Sequence, residues 1–299
     1  MLRKIFVFGA STFTGRYLLD YFADFDESYL IYPFSRNHLQ ESNHLYCDLS
    51  LASTFPLDLL DSNTENIFIS LAPIYLFKDF LDNLSALCPD LFSYLSHIIV
   101  CSSSSALTKK YAYNEFDIEL SKSLNHCHDF FNSLAKLSSC SVTIVQPAIV
   151  YGSYASFSDK NITRIKSLML LPFLFLPSEC GLRQPIHGSQ LAKIFLHLCL
   201  EKRHDNFSIF SFGGDDVISY YNMIDRLRRV VRFPLLNLSI KLPILIAIPS
   251  RFFFFAVSPL ILISPKLFEA FLRMRANLSG FTKSCDFVGG EPASFPVLD

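Results

Sequence analysis

No tryptophan occurs in the 299 residues, and none of the eight cysteines forms a Cys-x-x-Cys pair. Cys47, Cys88, Cys101, Cys127, Cys140, Cys180, Cys199 and Cys285 are scattered singly. Cys127, between His126 and His128, has no second ligand cluster. Neither a bound metal nor a disulfide framework is therefore expected, only reduced thiols in a cytosolic chain. Neither sign of charge prevails: the formal net charge is −1, which gives no footprint for a nucleic-acid partner. No fixed-period repeat is present, which excludes a solenoid. The N-terminus runs straight into an apolar strand pattern, so no secretory leader is expected. What is abundant is phenylalanine, with 31 copies in a chain that is 51% hydrophobic. That richness raises the expectation of membrane contact. The length accommodates one large α/β domain with an appended lobe, or two domains.

Strand and helix patterns alternate along the first half. "KIFVFG" (4–9), "YLIYPF" (29–34), "HLYCDLS" (44–50), "NIFISLAP" (66–73), "HIIVCSSSS" (97–105) and "SVTIVQPAIVYG" (141–152) read as strands. Helical stretches are expected over 14–24, 76–94 and 115–137. Such alternation predicts an α/β fold with a Rossmann-like doubly wound parallel sheet over residues 1–152. From 153 the rhythm changes to helices near 159–171, 189–202 and 219–232, with short strands around 183–187 and 207–212. Residues 153–299 are expected to form a smaller C-terminal substrate lobe.

The stretch "GASTFTG" follows the first strand and opens a helix, the setting in which a glycine turn binds a dinucleotide. Gly9 permits the tight turn, and Gly15 allows close packing of helix on strand. Ser11, Thr12 and Phe13 lie between them. Thr12 stands where a third glycine is expected; its hydroxyl either bonds a phosphate or belongs to a purely structural turn. The second strand ends in Ser35 and Arg36 rather than a carboxylate. Arg36 suits the 2′-phosphate of NADP, or is a solvated surface residue. Asp48 is placed to reach an adenine, or caps the following turn.

These stretches together resemble the extended short-chain dehydrogenase/reductase family, the NAD-dependent epimerase/dehydratase group, over residues 4–235. "CDLS", "ISLAP", "VCSSSS" and "VQPAIVYG" match its strand ends, the last with Gln146 in place of arginine. "GLRQPIHGSQLA" (181–192) and "FSFGGDDVISYYNMIDRL" (210–227) match two longer segments. The resemblance implies NAD or NADP and places Leu71, Ala72 and Pro147 beside the cofactor; Arg36, with no carboxylate beside it, tips the expectation slightly toward NADP. It implies a sugar substrate linked to a nucleotide or a polyprenyl diphosphate, in surface glycan biosynthesis. It also implies a catalytic Ser, Tyr and Lys, with the Lys four residues after the Tyr. Ser103 is the best match to the serine, with Ser104 beside the substrate. No Tyr-x-x-x-Lys exists in the chain. Lys122 holds the lysine's place, but Ile118 stands four residues earlier. Tyr113 is a substitute base if Lys109 or Lys110 assists it, and otherwise a surface residue. Arg183 either forks onto a diphosphate or makes a surface ion pair. His187 either assists proton transfer or is a satisfied, half-buried histidine. The missing tyrosine also suits a second class, a non-catalytic nucleotide-binding or scaffold protein.

Residues 242–263, "LPILIAIPSRFFFFAVSPLILI", are nominally long enough to cross a bilayer. Pro243, Pro249, Pro259 and Arg251 argue against a clean span. The tract is expected to lie at a membrane interface, bordered by Lys241 and Lys266, making the protein cytoplasmic and peripheral at the inner face. A Phe-rich cap over the cleft or an oligomer contact is the competing reading, and a homodimer stays open.

Overall fold

The computed structural model describes residues 2–24, 29–36, 43–154, 157–158, 165, 171, 173–201, 205–230 and 244–297. The helix expected near 159–171 lies outside these apart from Ile165 and Leu171, as do Lys241, Leu242 and Pro243.

Eight parallel strands make the main sheet: β1 (Arg3–Phe8), β2 (Tyr29–Ser35), β3 (Leu45–Tyr46), β4 (Glu65–Ser70), β5 (Leu95–Cys101), β6 (Ser141–Pro147), β7 (Phe207–Gly213) and β8 (Thr282–Lys283). Their order is β8-β7-β6-β5-β4-β1-β2-β3. The order reverses at β1, which pairs with β2 on one side and β4 on the other. The crevice beyond the carboxyl ends of β1 and β4 is the switch point where such sheets bind ligands. This is the expected Rossmann-like, doubly wound sheet. It draws on both sides of position 152, since β7 and β8 come from the second half of the chain.

The helices are α1 (Phe13–Ala23), α2 (Ile74–Leu87), α3 (Leu91–Tyr94), α4 (Ser105–Thr108), α5 (Glu115–Leu137), α6 (Gly188–Leu200), α7 (Tyr220–Val230), α8 (Ser250–Val257), α9 (Leu260–Ile263), α10 (Pro265–Leu272) and α11 (Ser284–Val288). Strand alternation sorts the core into two layers of different chemistry. Ile5, Val7, Ile67, Ile69 and Ile99 pack with Leu18 of α1 and Ile194, Phe195 and Leu198 of α6. Phe6, Phe8, Phe34 and Phe68 face the other way, against Phe55 and against Phe77 and Phe80 of α2. Phe8 holds Phe34, Phe68 and Phe77 with ring centroids 5.1–5.2 Å away. Much of the phenylalanine is thus core filler, where burying one such side chain contributes about 1.5–3 kcal/mol.

The lobe has its own small core, with Tyr151, Leu176, Ile218, Met223, Ile224, Leu227 and Phe295. The hydrophobic tract is not one helix. Ile244–Ile248 form a strand paired in parallel with Phe173–Pro177. Pro249 and Pro259 then stand at the N-caps of α8 and α9, and Pro265 in the first turn of α10. Proline starts a helix without losing a bond but cannot continue one, which divides the tract. Among the described residues, no helix is long and apolar enough to cross a membrane.

Candidate active site

The turn between β1 and α1 brings Gly9, Ser11, Thr12, Phe13 and Gly15 to the switch point. Gly9 has φ +77°, and a Cβ there would lie 3.0 Å from Ala72 N and 3.1 Å from the Leu71 carbonyl carbon. Leu71 and Ala72 therefore sit against the turn. A Cβ on Gly15 would lie 2.6 Å from Gly9 O, the helix-on-strand contact that needs glycine. Of the two readings the sequence left open for Thr12, its bonds are those of the structural turn. Its Oγ1 donates to Gly9 O at 2.9 Å and accepts from Gly15 N at 3.0 Å. The hydroxyl caps α1, and its one proton is spent inside the turn. The N–H groups of Phe13 and Thr14, in the first helical turn, have no intrahelical acceptor and form the positive end of the helix dipole. Nearby, Ser70 Oγ at the end of β4 is buried without a hydrogen-bond partner among the described residues.

Arg36 and Asp48 share the rim beyond β2 and β3. Arg36 is exposed. Asp48 accepts from Ser50 N at 3.0 Å and Ser50 Oγ at 2.8 Å. These bonds hold its carboxyl below the ordinary range, with a smaller contribution from Arg36. The carboxylate is engaged in a local turn.

Across the carboxyl ends of β5 and β6 lies a cavity of about 540 Å³. Phe13, Ser102, Ser103, Ser104, Lys109 and Pro147 form its sheet side, and Arg183, Tyr220, Arg273 and Met274 its lobe side. Ser103 Oγ accepts from Ser105 N at 3.1 Å, and Ser104 N donates to Pro147 O at 3.0 Å. Glycine turn and serine loop thus meet in one cleft, within the size range of ligand sites.

Several expected residues stand elsewhere. Lys122 is exposed on α5 and does not line the cleft. The helix face turned toward the serine loop carries Asp117, Ser121, Asn125 and His128 instead. Asp117 and Ser121 are spaced four apart, as the absent Tyr and Lys would be. Asp117 accepts from Lys109 Nζ at 2.6 Å and from Asn114 Nδ2 at 3.1 Å. Burial alone would raise its pKa, but these bonds lower it overall. Ser121 Oγ donates to Ala106 O at 2.7 Å. Tyr113 is exposed, its ring 6.1 Å from that of Phe268 and its N–H donating to Glu269. Neither lysine assists it, because Lys109 holds Asp117 and Lys110 lies over the Tyr111 ring.

Arg183 borders the cleft, but it is 3% exposed and its donors face backbone. Nη1 donates to Leu182 O at 2.7 Å and to Ala276 O at 2.5 Å, and Nη2 donates to Arg273 O. The guanidinium ties down the carbonyls after α10 rather than offering an open fork, and burial pulls its pKa down to about 10. His187 is the N-cap of α6, with Nδ1 2.8 Å from Ser189 Oγ and its N–H donating to Gln190 Oε1. It is 1% exposed and packed edge-on against Tyr17 and Tyr151. Sequence reasoning missed three participants: Arg273 on the lobe wall, the Lys109–Asp117 pair, and His128, whose Nε2 lies 2.7 Å from Ser102 Oγ. The 117–121–125–128 spacing on one helix was the available signal.

This arrangement defines a doubly wound dinucleotide-type fold with a cleft between sheet rim and lobe. No family model matches the sequence, and no curated protein does. Solved structures do match in fold. UDP-glucose 4-epimerase from Thermotoga maritima, with UDP-glucose, has TM-score 0.62 at 14% identity, covering 97% of this chain and 93% of that one. A nucleoside-diphosphate-sugar epimerase from Staphylococcus aureus has TM-score 0.62 at 12% identity, covering 98% of each. UDP-glucuronic acid 4-epimerase from Bacillus cereus, in complex with UDP-glucuronic acid and NAD, has TM-score 0.58 at 15% identity, covering 83% and 86%. The chain has the fold of these epimerases.

Proposed function

We propose that this chain binds a nicotinamide dinucleotide across Gly9–Gly15 and acts on a diphosphate-activated sugar as an epimerase, dehydratase or reductase. Membership of the extended short-chain dehydrogenase/reductase family is part of that reading. The observation that carries it is the glycine turn at the switch point opening beside a cleft walled by a serine loop and two arginines. The donors present fit the group. First-turn N–H groups suit a pyrophosphate, and Leu71, Ala72 and Pro147 supply an apolar bed. Arg36 beyond β2, with no carboxylate, supports NADP over NAD. When bound, the nicotinamide supplies hydride acceptance and return. The chain's part is to orient the sugar, bring positive charge to its diphosphate through Arg273, and move the hydroxyl proton.

The tract supports a lipid-linked substrate and a peripheral position at a membrane surface. Phe253 is buried, while Phe252, Phe255, Leu262 and Ile263 are 70–89% exposed. One apolar face is thus free while the other anchors the lobe. The second reading, a nucleotide-binding protein without catalysis, is favoured by Asp117 and Ser121 standing at the Tyr and Lys spacing. Calorimetric titration with NAD and NADP, then incubation of the holoprotein with UDP-glucose and UDP-glucuronic acid, separates the two. Binding with conversion of either sugar supports the enzyme. Binding with no conversion of nucleotide- or polyprenyl-diphosphate sugars supports the scaffold. No binding of either cofactor overturns both.

A further inference from the structure

We propose that Ser102 and His128 are the proton-transfer pair of this cleft. Ser102 Oγ takes the proton of a substrate hydroxyl, and His128 Nε2 takes the serine's own proton. The inference rests on the enzymatic reading above and names the acid–base group that the sequence lacks at the tyrosine position.

The geometry supports the pair from both ends. Ser102 leaves β5 at its carboxyl end and lines the cleft. Its Oγ is 2.7 Å from His128 Nε2, hydrogen-bonding distance. His128 is 5% exposed on the inner face of α5, behind the serine and away from bulk water. A group that must reach substrate thus stands in the cleft, and the group that stores the proton stands behind it, as in other hydroxyl–imidazole pairs.

Among the neighbouring groups, Ser121 Oγ donates its proton to a backbone carbonyl, and Ser103 Oγ accepts from Ser105 N. Lys109 Nζ is held by Asp117. Burial lowers the pKa of His128, partly offset by Asp129 on the same helix, so the ring is neutral and ready to accept near pH 7. Of the elements packed on α5, β6 and β7 carry no charged residue. On α2, Lys78 is bonded to Asp79 and Asp82. On β5, His97 is bonded to Thr143, and the Cys101 thiol is pushed up to about 12.

The step balances. The substrate O–H bond breaks and its proton joins Ser102 Oγ as the serine proton moves to Nε2. Serine ends unchanged and the imidazole gains one positive charge. A bound oxidised nicotinamide would supply the acceptor for the hydride of the carbinol carbon, which would leave a carbonyl. Reduction runs the same path in reverse.

The direct test needs no cofactor. In protein labelled with ¹⁵N-histidine, long-range ¹H–¹⁵N spectra assign His128 by its loss in His128→Gln. The expected ring is neutral at pH 7 with the proton on Nδ1 and Nε2 bare. A proton on Nε2, or a cationic ring at pH 7, overturns the pair. The second test uses the holoenzyme with UDP-glucose. Ser102→Ala and His128→Gln are expected to lower kcat at least ~100-fold with KM and dinucleotide affinity within about twofold, and Ser102→Thr to restore much of it. Bound dinucleotide and unchanged kcat in Ser102→Ala overturn the pair alone. A wild-type protein that binds no dinucleotide overturns the enzymatic reading and the pair's role with it.

Discussion

Gly15 and Thr12 decide how the glycine turn works. A side chain at 15 meets Gly9 O at 2.6 Å and Ala10 O at 2.8 Å, both backbone atoms that cannot swing aside. Gly15→Val is therefore expected to abolish dinucleotide binding in a fluorescence titration; unchanged affinity contradicts the turn as the binding site. Arg36 is the cofactor discriminator of this account. Arg36→Ala should remove any preference for NADP over NAD in calorimetry, and a variant that keeps the preference takes Arg36 out of the site. His128 and His44 carry a pH signature, since burial lowers both below 6.5 on folding. The unfolded chain then binds more protons, so the stability these groups contribute is full above pH 6.5 and falls as pH drops below it. The melting temperature should decline between pH 7 and 5, less steeply in His128→Gln. Equal slopes in both proteins would remove His128 as a contributor.

At the scale of elements, most of the first half of the chain was legible, where a strand carries a short apolar run ending at a loop or a helix a clear period. The single helix expected over 76–94 is instead α2 and α3, broken after Leu87. The strand expected in 44–50 is only the exposed pair Leu45–Tyr46. The helix expected over 115–137 spans those residues. Asn114 caps it by accepting from Asp117 N, and Glu115 and Asp117 complement its dipole. What was not legible is which α5 face meets the serine loop. Lys122 and Ser121 are neighbours in sequence, and only packing turns Ser121 inward and Lys122 out. The tract shows the same limit. Its composition reads as a membrane segment, yet pairing with Phe173–Pro177, a partner about 70 residues away, makes its first part a strand. The partly exposed α8 carries the remaining apolar signal. Phe252→Ser combined with Phe255→Ser should release the protein from liposomes in a sedimentation assay with cofactor binding intact, because both side chains are exposed. If the wild-type protein stays in the supernatant, the tract is not a membrane face.

For the whole molecule, fold and cleft place the glycine turn, the serine loop and the lobe arginines around one cavity. Arg183, offered by the sequence as a diphosphate ligand or a surface ion pair, and His187, offered as a proton-transfer aid or a satisfied half-buried histidine, are both buried and engaged within the fold. Arg183 closes the carbonyls after α10, and His187 starts α6. Their long matched segments were legible as motifs, but their roles depend on partners that the local sequence does not name, such as Ala276 and Arg273. The central claim, a nicotinamide dinucleotide bound over Gly9–Gly15, is tested most directly by mass spectrometry of the small molecules released on denaturing purified protein incubated with NAD and NADP. The account predicts one dinucleotide per chain, retained through desalting by the wild type and absent from Gly15→Val. No dinucleotide on the wild type, or an equal amount on Gly15→Val, would contradict it.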